Sequence, residues 1–366
     1  MNSSLERFYN PVNLSIGVGA LGDVADIISG DEKVLIITSE GFSKRGLVQY
    51  LIKLCRSNEC IVFDKIKPNP ELDDLDDLIS YYRSMGVTFI IALGGGSAID
   101  AGKVLATAIP TQIEKPLNML FREKVDIVFE KKIPLLVIPT TSGTGAEVTP
   151  FATVWDSVTN KKFSLSGAHL FASNAILDPE LCLTLPYKET LNTALDSISH
   201  ALESLWNKGR TKISEMYAVE SLILSRDSLP KLLKNLDCIE SRVKMQRASL
   251  YSGFAISQTK TAIAHSISYP ITSHFGVPHG LACSFTLPYI IDWYLENVKN
   301  ERNYQIILEI KELLLSIRLS EKIKNFCSLD EVLNLKGEMY SPERAANFVC
   351  DVTDQDLETV LIESLK

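Results

Sequence analysis

Residues 88–100 read Thr-Phe-Ile-Ile-Ala-Leu-Gly-Gly-Gly-Ser-Ala-Ile-Asp (TFIIALGGGSAID). An apolar run of strand length without polar alternation is the pattern of a strand buried on both faces. Three glycines then let the backbone come close to a bulky anion. Ser97 and Asp100 have the Ser-x-x-Asp spacing of a capping box, which predicts a helix start. Strand, glycine turn and helix N-terminus in that order would aim backbone N–H groups and the helix dipole at a pyrophosphate. The run lacks the G-x-G-x-x-G spacing, and the alternative is a tight strand–helix turn without a ligand.

The same alternation extends outward. Residues 34–38 (VLIIT), 60–63 (CIVF) and 134–138 (PLLVI) are further strand candidates. Residues 41–54 and 72–85 read as helices, the second with two Asp-Asp-Leu repeats expected to face solvent. The pattern predicts a parallel sheet covered by helices, as in doubly wound nucleotide-binding domains. The fourth run leads into PTTSGTGAEVT (139–149), where Thr144 and Glu147 repeat the capping-box spacing and hydroxyls could meet phosphate oxygens or a nicotinamide amide. From about residue 185 long amphipathic helices dominate, at 188–207, 214–236 and 242–257. The expected fold class is therefore an α/β dinucleotide-binding domain with a parallel sheet, residues 1–183, followed by an all-α domain, residues 184–366. A cleft where two such domains meet would suit a small molecule.

Composition narrows the function. The 366-residue chain carries a net charge of −8 and no basic run, which argues against nucleic acid. No apolar stretch approaches the ~20 residues of a membrane span, and MNSSLERFYNPVNLS lacks the apolar core of a signal peptide. Seven scattered cysteines without a Cys-x-x-Cys pair read as reduced thiols of a cytoplasmic protein. Cys283 could approach a site near His279, with core filler the likelier role.

The second half concentrates histidine: four of the five lie at 200, 265, 274 and 279. Asp196 and His200 are four apart in a helical segment, hence on one face. His265 and His279 are separated by Pro270 and Pro278, so they need not share a straight helix. Three nitrogens and one oxygen suit a divalent transition metal, although a single buried histidine is more often a satisfied core residue.

Together, and in this order, GGGSAID, PTTSGTGAEVT, DPEL at 178–181, ALDSISHALES and the His265-to-His279 spacing ending in Pro-His-Gly resemble the iron-dependent (group III) alcohol dehydrogenases. The resemblance runs from FYNP at 8–11 to beyond His279. It implies a dehydroquinate synthase-like architecture with Asp196, His200, His265 and His279 as metal ligands, for Fe²⁺ or alternatively Zn²⁺. It also implies cofactor contacts from Asn69, Gly95, Gly96, Ser97, Asp100, Thr140, Thr141, Thr149 and Lys162. The expected reaction is hydride transfer between NADH or NADPH and a small aldehyde, in a homo-oligomer, dimer or larger.

Three positions depart from the family pattern. Ser39 stands where NAD-using members often carry an aspartate for the ribose, so NADP(H) becomes admissible beside Lys44 and Arg45. Tyr269 stands where many relatives have a histidine, and its hydroxyl could orient or protonate an alkoxide. Gln258-Thr259-Lys260-Thr261 replaces small apolar residues. If one helix runs through to His265, Gln258 and Thr261 share its face, with Lys260 close by as a second catalytic candidate. This predicts a polar or anionic aldehyde, and the HSISYP run resembles the subgroup that reduces phosphonoacetaldehyde to 2-hydroxyethylphosphonate. The rival expectations are a dehydroquinate synthase-like or glycerol dehydrogenase-like enzyme on the same fold, and a non-catalytic dinucleotide-binding protein.

Overall fold

The computed structural model describes residues 5–366 except 29, 57, 160, 300 and 341. It forms two compact units. One comprises Asn10–Thr141 and Ala146–Cys182; the other comprises residues 5–9, Ser142–Gly145 and Leu183–Lys366.

The first unit is the predicted α/β unit. Its strands are β1 (Asn13–Ile16), β2 (Lys33–Ile37), β3 (Glu59–Phe63), β4 (Phe89–Gly94), β5 (Leu135–Pro139), β6 (Phe151–Asp156), β7 (Lys161–Ser166) and β8 (Asn174–Leu177). Six of them form one parallel sheet in the order β1-β8-β5-β4-β2-β3. β4 and β5 are buried along their whole length, as unbroken apolar runs require. The chain leaves β2 toward β3 on one side and leaves β4 toward β5 on the other, so the strand order switches between β2 and β4. Open α/β sheets bind ligands beyond the carboxyl ends of the strands at such a point. The register pairs Ile37 with Ala92 and Gly94 with Pro139, which sets the turns after β2, β4 and β5 side by side. Thr38 Oγ1 donates to the Leu93 carbonyl at 2.8 Å, and the Thr140 N–H donates to the Gly94 carbonyl at 3.0 Å.

Several local expectations change. β1, β8 and the antiparallel β6–β7 hairpin were not anticipated, the first two being only four residues long. The helical pattern of 41–54 divides at Gly46 into Glu40–Lys44 and Leu47–Leu54. The Ser97–Asp100 capping box does not form. The Gly96–Ala108 helix starts from Gly95 with no side-chain cap; Ser97 Oγ accepts from the Asn69 N–H at 3.3 Å and Asp100 Oδ2 from the Thr153 N–H at 2.9 Å. After Thr144 there is a single 3₁₀ turn, Ala146–Val148, with Glu147 buried. The second Asp-Asp-Leu repeat does not simply face solvent: Asp76 is buried and accepts from the Leu117 and Asn118 N–H groups at 2.9 Å each, capping the Pro116–Phe121 helix.

The second unit is helical, and a single apolar core runs through it. In the Tyr187–Leu205 helix, Leu191, Leu195, Ile198, Leu202 and Leu205 recur at helical spacing and are buried. It packs with the Lys212–Lys234 and Ile239–Thr259 helices. The latter does not run on to His265. It ends at Thr259, and a new helix begins at Ile263 (Ile263–Phe275). Gln258 and Thr261 are thus not on the His265 helix; Gln258 instead exchanges hydrogen bonds with the Tyr9 backbone at 3.0 and 3.2 Å. Pro270 lies inside Ile263–Phe275, and the chain turns at Gly276 before Pro278 leads into the short His279–Ala282 helix.

Close backbone approaches lock this unit. A Cβ on Gly143 would lie 2.3 Å from the Thr193 carbonyl oxygen, so the Ser142–Gly145 segment rests directly on the Tyr187–Leu205 helix. A Cβ on Gly280 would lie 1.7 Å from the Asn192 carbonyl oxygen. Gly280→Ala therefore forces backbone apart and is expected to cost about 2–3 kcal/mol or more. Gly337, with nothing within 4 Å of its Cβ position, is the control: Gly337→Ala is expected to be neutral or to stabilise by up to ~1 kcal/mol. Urea unfolding midpoints of the two variants check this.

Candidate metal and cofactor residues

Asp196 and His200 lie one turn apart on the Tyr187–Leu205 helix, His265 is the third residue of Ile263–Phe275, and His279 opens His279–Ala282. Three helix segments thereby bring three imidazoles to Asp196. His200 Nε2 and His265 Nε2 each lie 3.4 Å from Asp196 Oδ1, and His279 Nε2 lies 3.7 Å from it. Asp196, His200 and His265 are buried, whereas the His279 side chain is one-third exposed. The His200 and His265 rings stack with centroids 4.8 Å apart. A tetrahedron with metal–ligand bonds of about 2.1 Å has edges of roughly 3.4 Å, close to the three separations from Asp196 Oδ1. The ligand atoms that all lie within 4.8 Å of one another are those of Asp196, His265, His279 and Cys283, a group that does not include His200.

The hydrogen bonding fits the same purpose. Glu203 Oε2 meets His265 Nδ1 at 2.5 Å, and Glu203 Oε1 accepts from the His265 N–H at 3.1 Å. With Nδ1 engaged, the other ring nitrogen is left to face Asp196. His265 Nε2 is buried without a hydrogen-bond partner, an arrangement that costs free energy unless something accepts its lone pair. A carboxylate behind a ligating imidazole is the usual means of fixing the ring and its tautomer. Three imidazoles and one carboxylate suit iron or zinc equally, so the residues present fit a divalent metal.

Charge points the same way. Burial opposes ionisation of Asp196, yet His200, His265 and His279 hold its carboxyl well below the usual range. Glu203 is likewise lowered against burial, chiefly by His265. Burial disfavours the charged form of His265, but Glu203 and Asp196 carry its pKa up to about 9. Burial lowers that of His200 despite the pull of Asp196. Two buried carboxylates thus create a demand for positive charge at this spot.

Two further side chains join the cluster. Cys283 Sγ is 3.6 Å from Asp196 Oδ1, buried, and its thiol is raised well above its ordinary pKa by burial. It approaches the site after all, as a neutral thiol. Tyr269 lies one turn after His265, with its ring parallel to His279 at 5.9 Å and edge-on to His265 at 6.3 Å. Burial pushes its phenol up to about 12, so the hydroxyl keeps its proton at neutral pH. Lys260 is exposed at the end of the Ile239–Thr259 helix, with φ 65° and ψ −180°, a conformation that favours glycine.

In the α/β unit the other candidates group at the strand ends. Ser39 follows β2, Gly95, Gly96 and Ser97 follow β4, and Thr140 and Thr141 follow β5. Asn69 is tied to Ser97 and has φ 59°. Asp100 and Thr149 surround Lys103, an ammonium buried within the unit. Its Nζ donates to the Thr149 carbonyl at 2.7 Å, to Thr149 Oγ1 at 3.2 Å and to the Phe151 carbonyl at 2.8 Å. Burial lowers the Lys103 pKa to about 8 against the attraction of Asp100 and Glu147, and burial raises Glu147 to about 7. Thr149 and Asp100 therefore carry internal partners of their own. Lys162 lies over the Trp155 ring at 5.5 Å.

Glu203 was legible in principle, because it falls seven residues after Asp196 and three after His200, on their helical face. Nothing local distinguishes Arg344, whose guanidinium lies 4.4 Å from the Tyr269 ring centroid. Among the described residues no helix is long and apolar enough to cross a membrane.

Comparison with known proteins gives a consistent result. The family model described as iron-containing alcohol dehydrogenase matches residues 11–179, and that of the family's C-terminal domain matches residues 190–360. The chain is 32% identical to the aldehyde-alcohol dehydrogenase of Streptococcus pneumoniae over 71% of its own length, spanning 31% of that larger protein. It is 30% identical to the 1-propanol dehydrogenase of Citrobacter freundii, covering 82% of this chain and 76% of the relative. Among solved structures, the sulfoacetaldehyde reductase of Bifidobacterium kashiwanohense in complex with NAD⁺ is similar with a TM-score of 0.90, 27% identity and 99% of both chains covered. On these grounds the chain belongs to the iron-containing alcohol dehydrogenase family.

Proposed function

We propose that this protein is a metal-dependent, NAD(P)H-linked reductase of a small aldehyde that carries an anionic group, with a sulfonate- or phosphonate-bearing acetaldehyde as the substrate class. The observation that carries the reductase reading is the convergence of three imidazole nitrogens on Asp196 Oδ1 at 3.4–3.7 Å. The anionic part is supported by the likeness to a sulfoacetaldehyde reductase along the whole chain. Phosphonoacetaldehyde presents the same carbonyl two bonds from a similar tetrahedral anion.

Asp196, His200, His265 and His279 would hold the metal, and the turns after β2, β4 and β5 would hold the dinucleotide. When bound, the metal supplies Lewis acidity toward a carbonyl oxygen and the nicotinamide supplies a hydride. Everything else is done by the chain itself. Glu203 fixes the His265 ring through Nδ1 and so aims Nε2 inward. Tyr269 holds a proton on Oη at neutral pH and can donate a hydrogen bond beside His279. The backbone N–H groups at the start of the Gly96–Ala108 helix would receive a phosphate.

The deciding experiment is anaerobic purification with metal analysis, followed by NADH and NADPH oxidation against charged and neutral aldehydes. Equal rates with butanal and phosphonoacetaldehyde would remove the anionic part of the reading. His265→Ala is expected to abolish metal binding and turnover while leaving the circular dichroism of the fold intact; full activity in that variant refutes the site. Glu203→Gln keeps the shape but not the charge, and should weaken metal affinity about 10- to 100-fold, read by competition with a chromophoric chelator. Chelation should remove activity, and anaerobic Fe²⁺ or Zn²⁺ should restore it.

A further inference from the structure

We propose that Arg344 is the specificity-determining residue that recognises the anionic group of the substrate. This rests on the anionic-aldehyde reading above and gives it a receptor. Arg344 belongs to the short Pro342–Ala345 helix, and its guanidinium sits 4.4 Å from the Tyr269 ring centroid. That ring is in turn parallel to His279 at 5.9 Å and edge-on to His265 at 6.3 Å. The cation is therefore one aromatic ring removed from two of the four candidate metal ligands.

The chain around Arg344 is pinned on both sides. Before it, Ser266 Oγ donates to the Met339 carbonyl at 2.5 Å. After it, Asn347 Nδ2 donates to the Thr261 carbonyl at 2.9 Å, while the Asn347 carbonyl accepts from the Lys208 N–H at 2.8 Å. The Val349 N–H donates to the Trp206 carbonyl at 2.9 Å, and Phe348 is buried against Trp206 and Trp293. These anchors fix the backbone that presents the guanidinium.

Charge distribution singles Arg344 out. Among the described residues it forms no ion pair, although the structure pairs many of its other cations. The nearby acids are engaged: Asp196 and Glu203 with imidazoles, Glu338 with His274 at 3.0 Å. Arg344 is half-buried rather than sealed off. A guanidinium stacked on an aromatic face keeps its planar fork of donors free, and that fork matches the oxygens of a sulfonate or phosphonate. In a two-carbon aldehyde the carbonyl oxygen and the anionic centre lie only about 4 Å apart by ordinary bond lengths. A receptor for the anion must therefore lie in the neighbourhood of the metal ligands, and Arg344 sits over the Tyr269 ring that adjoins His265 and His279. It takes the part that the sequence reading gave to the 258–261 stretch, where Gln258 is bound to Tyr9 and Lys260 is exposed.

The test is steady-state kinetics of the metal-loaded protein with sulfoacetaldehyde, phosphonoacetaldehyde and propanal. The readout is the ratio of kcat/KM for each anionic aldehyde to that for propanal. Arg344→Ala is expected to reduce this ratio about 10- to 100-fold, mainly through KM, as loss of a charge-assisted hydrogen bond predicts. Arg344→Lys should recover part of it, and Arg344→Gln serves if the alanine variant fails to fold. Ethanesulfonate should compete against the wild type and lose potency in the variants. A wild-type preference for anions that survives in all three variants, or an equal loss for charged and neutral aldehydes, overturns the assignment of Arg344. No anion preference in the wild type overturns the substrate reading and this inference with it.

Discussion

One carboxylate oxygen, Asp196 Oδ1, has three imidazole nitrogens within 3.4–3.7 Å, and the helical unit is arranged around that approach. A buried carboxylate is tolerated only when opposite charge or donors surround it. Asp196 and His200 come from one helix, so their mutual placement is a matter of helical period alone. His265 and His279 come from separate helices, and each needs its own restraint. For His265 the restraint is Glu203, which binds both the ring and the backbone N–H of the same residue. That N–H is the third of the Ile263–Phe275 helix, one of the donors a helix start leaves unpaired. One carboxylate thus caps a helix and orients a candidate ligand together. For His279 the restraint is packing, because the glycine after it lets its short helix press onto the Asn192 carbonyl.

The α/β unit is organised around an interaction of the opposite sign. Lys103 buries an ammonium among two carbonyls and a hydroxyl, with Asp100 and Glu147 supplying the counter-charge. This ties the helix after the glycine turn to the chain at Thr149 and Phe151. The polar residues of the GGGSAID and PTTSGTGAEVT segments therefore serve the fold as well as any ligand. Asp100 holds the Thr153 N–H, and Ser97 holds the Asn69 N–H. Ser142–Gly145 goes with the helical unit, where its glycine at 143 rests on Thr193.

The four predicted strands, the glycine turn and the Asp196–His200 helix could be read in advance because each is a local pattern. Errors arose where a local pattern had two physical outcomes. Ser97 and Asp100 have capping-box spacing, but both side chains found partners elsewhere in the unit. Asp76 sits in an acidic run that looks solvated, yet it caps a distant helix. The stretch before His265 looked continuous, whereas the chain breaks between Thr259 and Ile263. The two strands of four residues are too short for their period to stand out, whereas β6 and β7, six residues each, are only half-buried and carry no unbroken apolar run.

By itself the sequence determined the fold class and the family and offered Asp196, His200, His265 and His279 as candidate ligands, because periodicity and residue type express themselves over a few turns of chain. Only the tertiary structure decided what stands behind and beside them: Glu203 on His265, Cys283 against Asp196, and Arg344 over Tyr269. Each of these contacts joins segments far apart in the chain. A side chain's partner across such a distance depends on how the helices pack, and no spacing between letters records that.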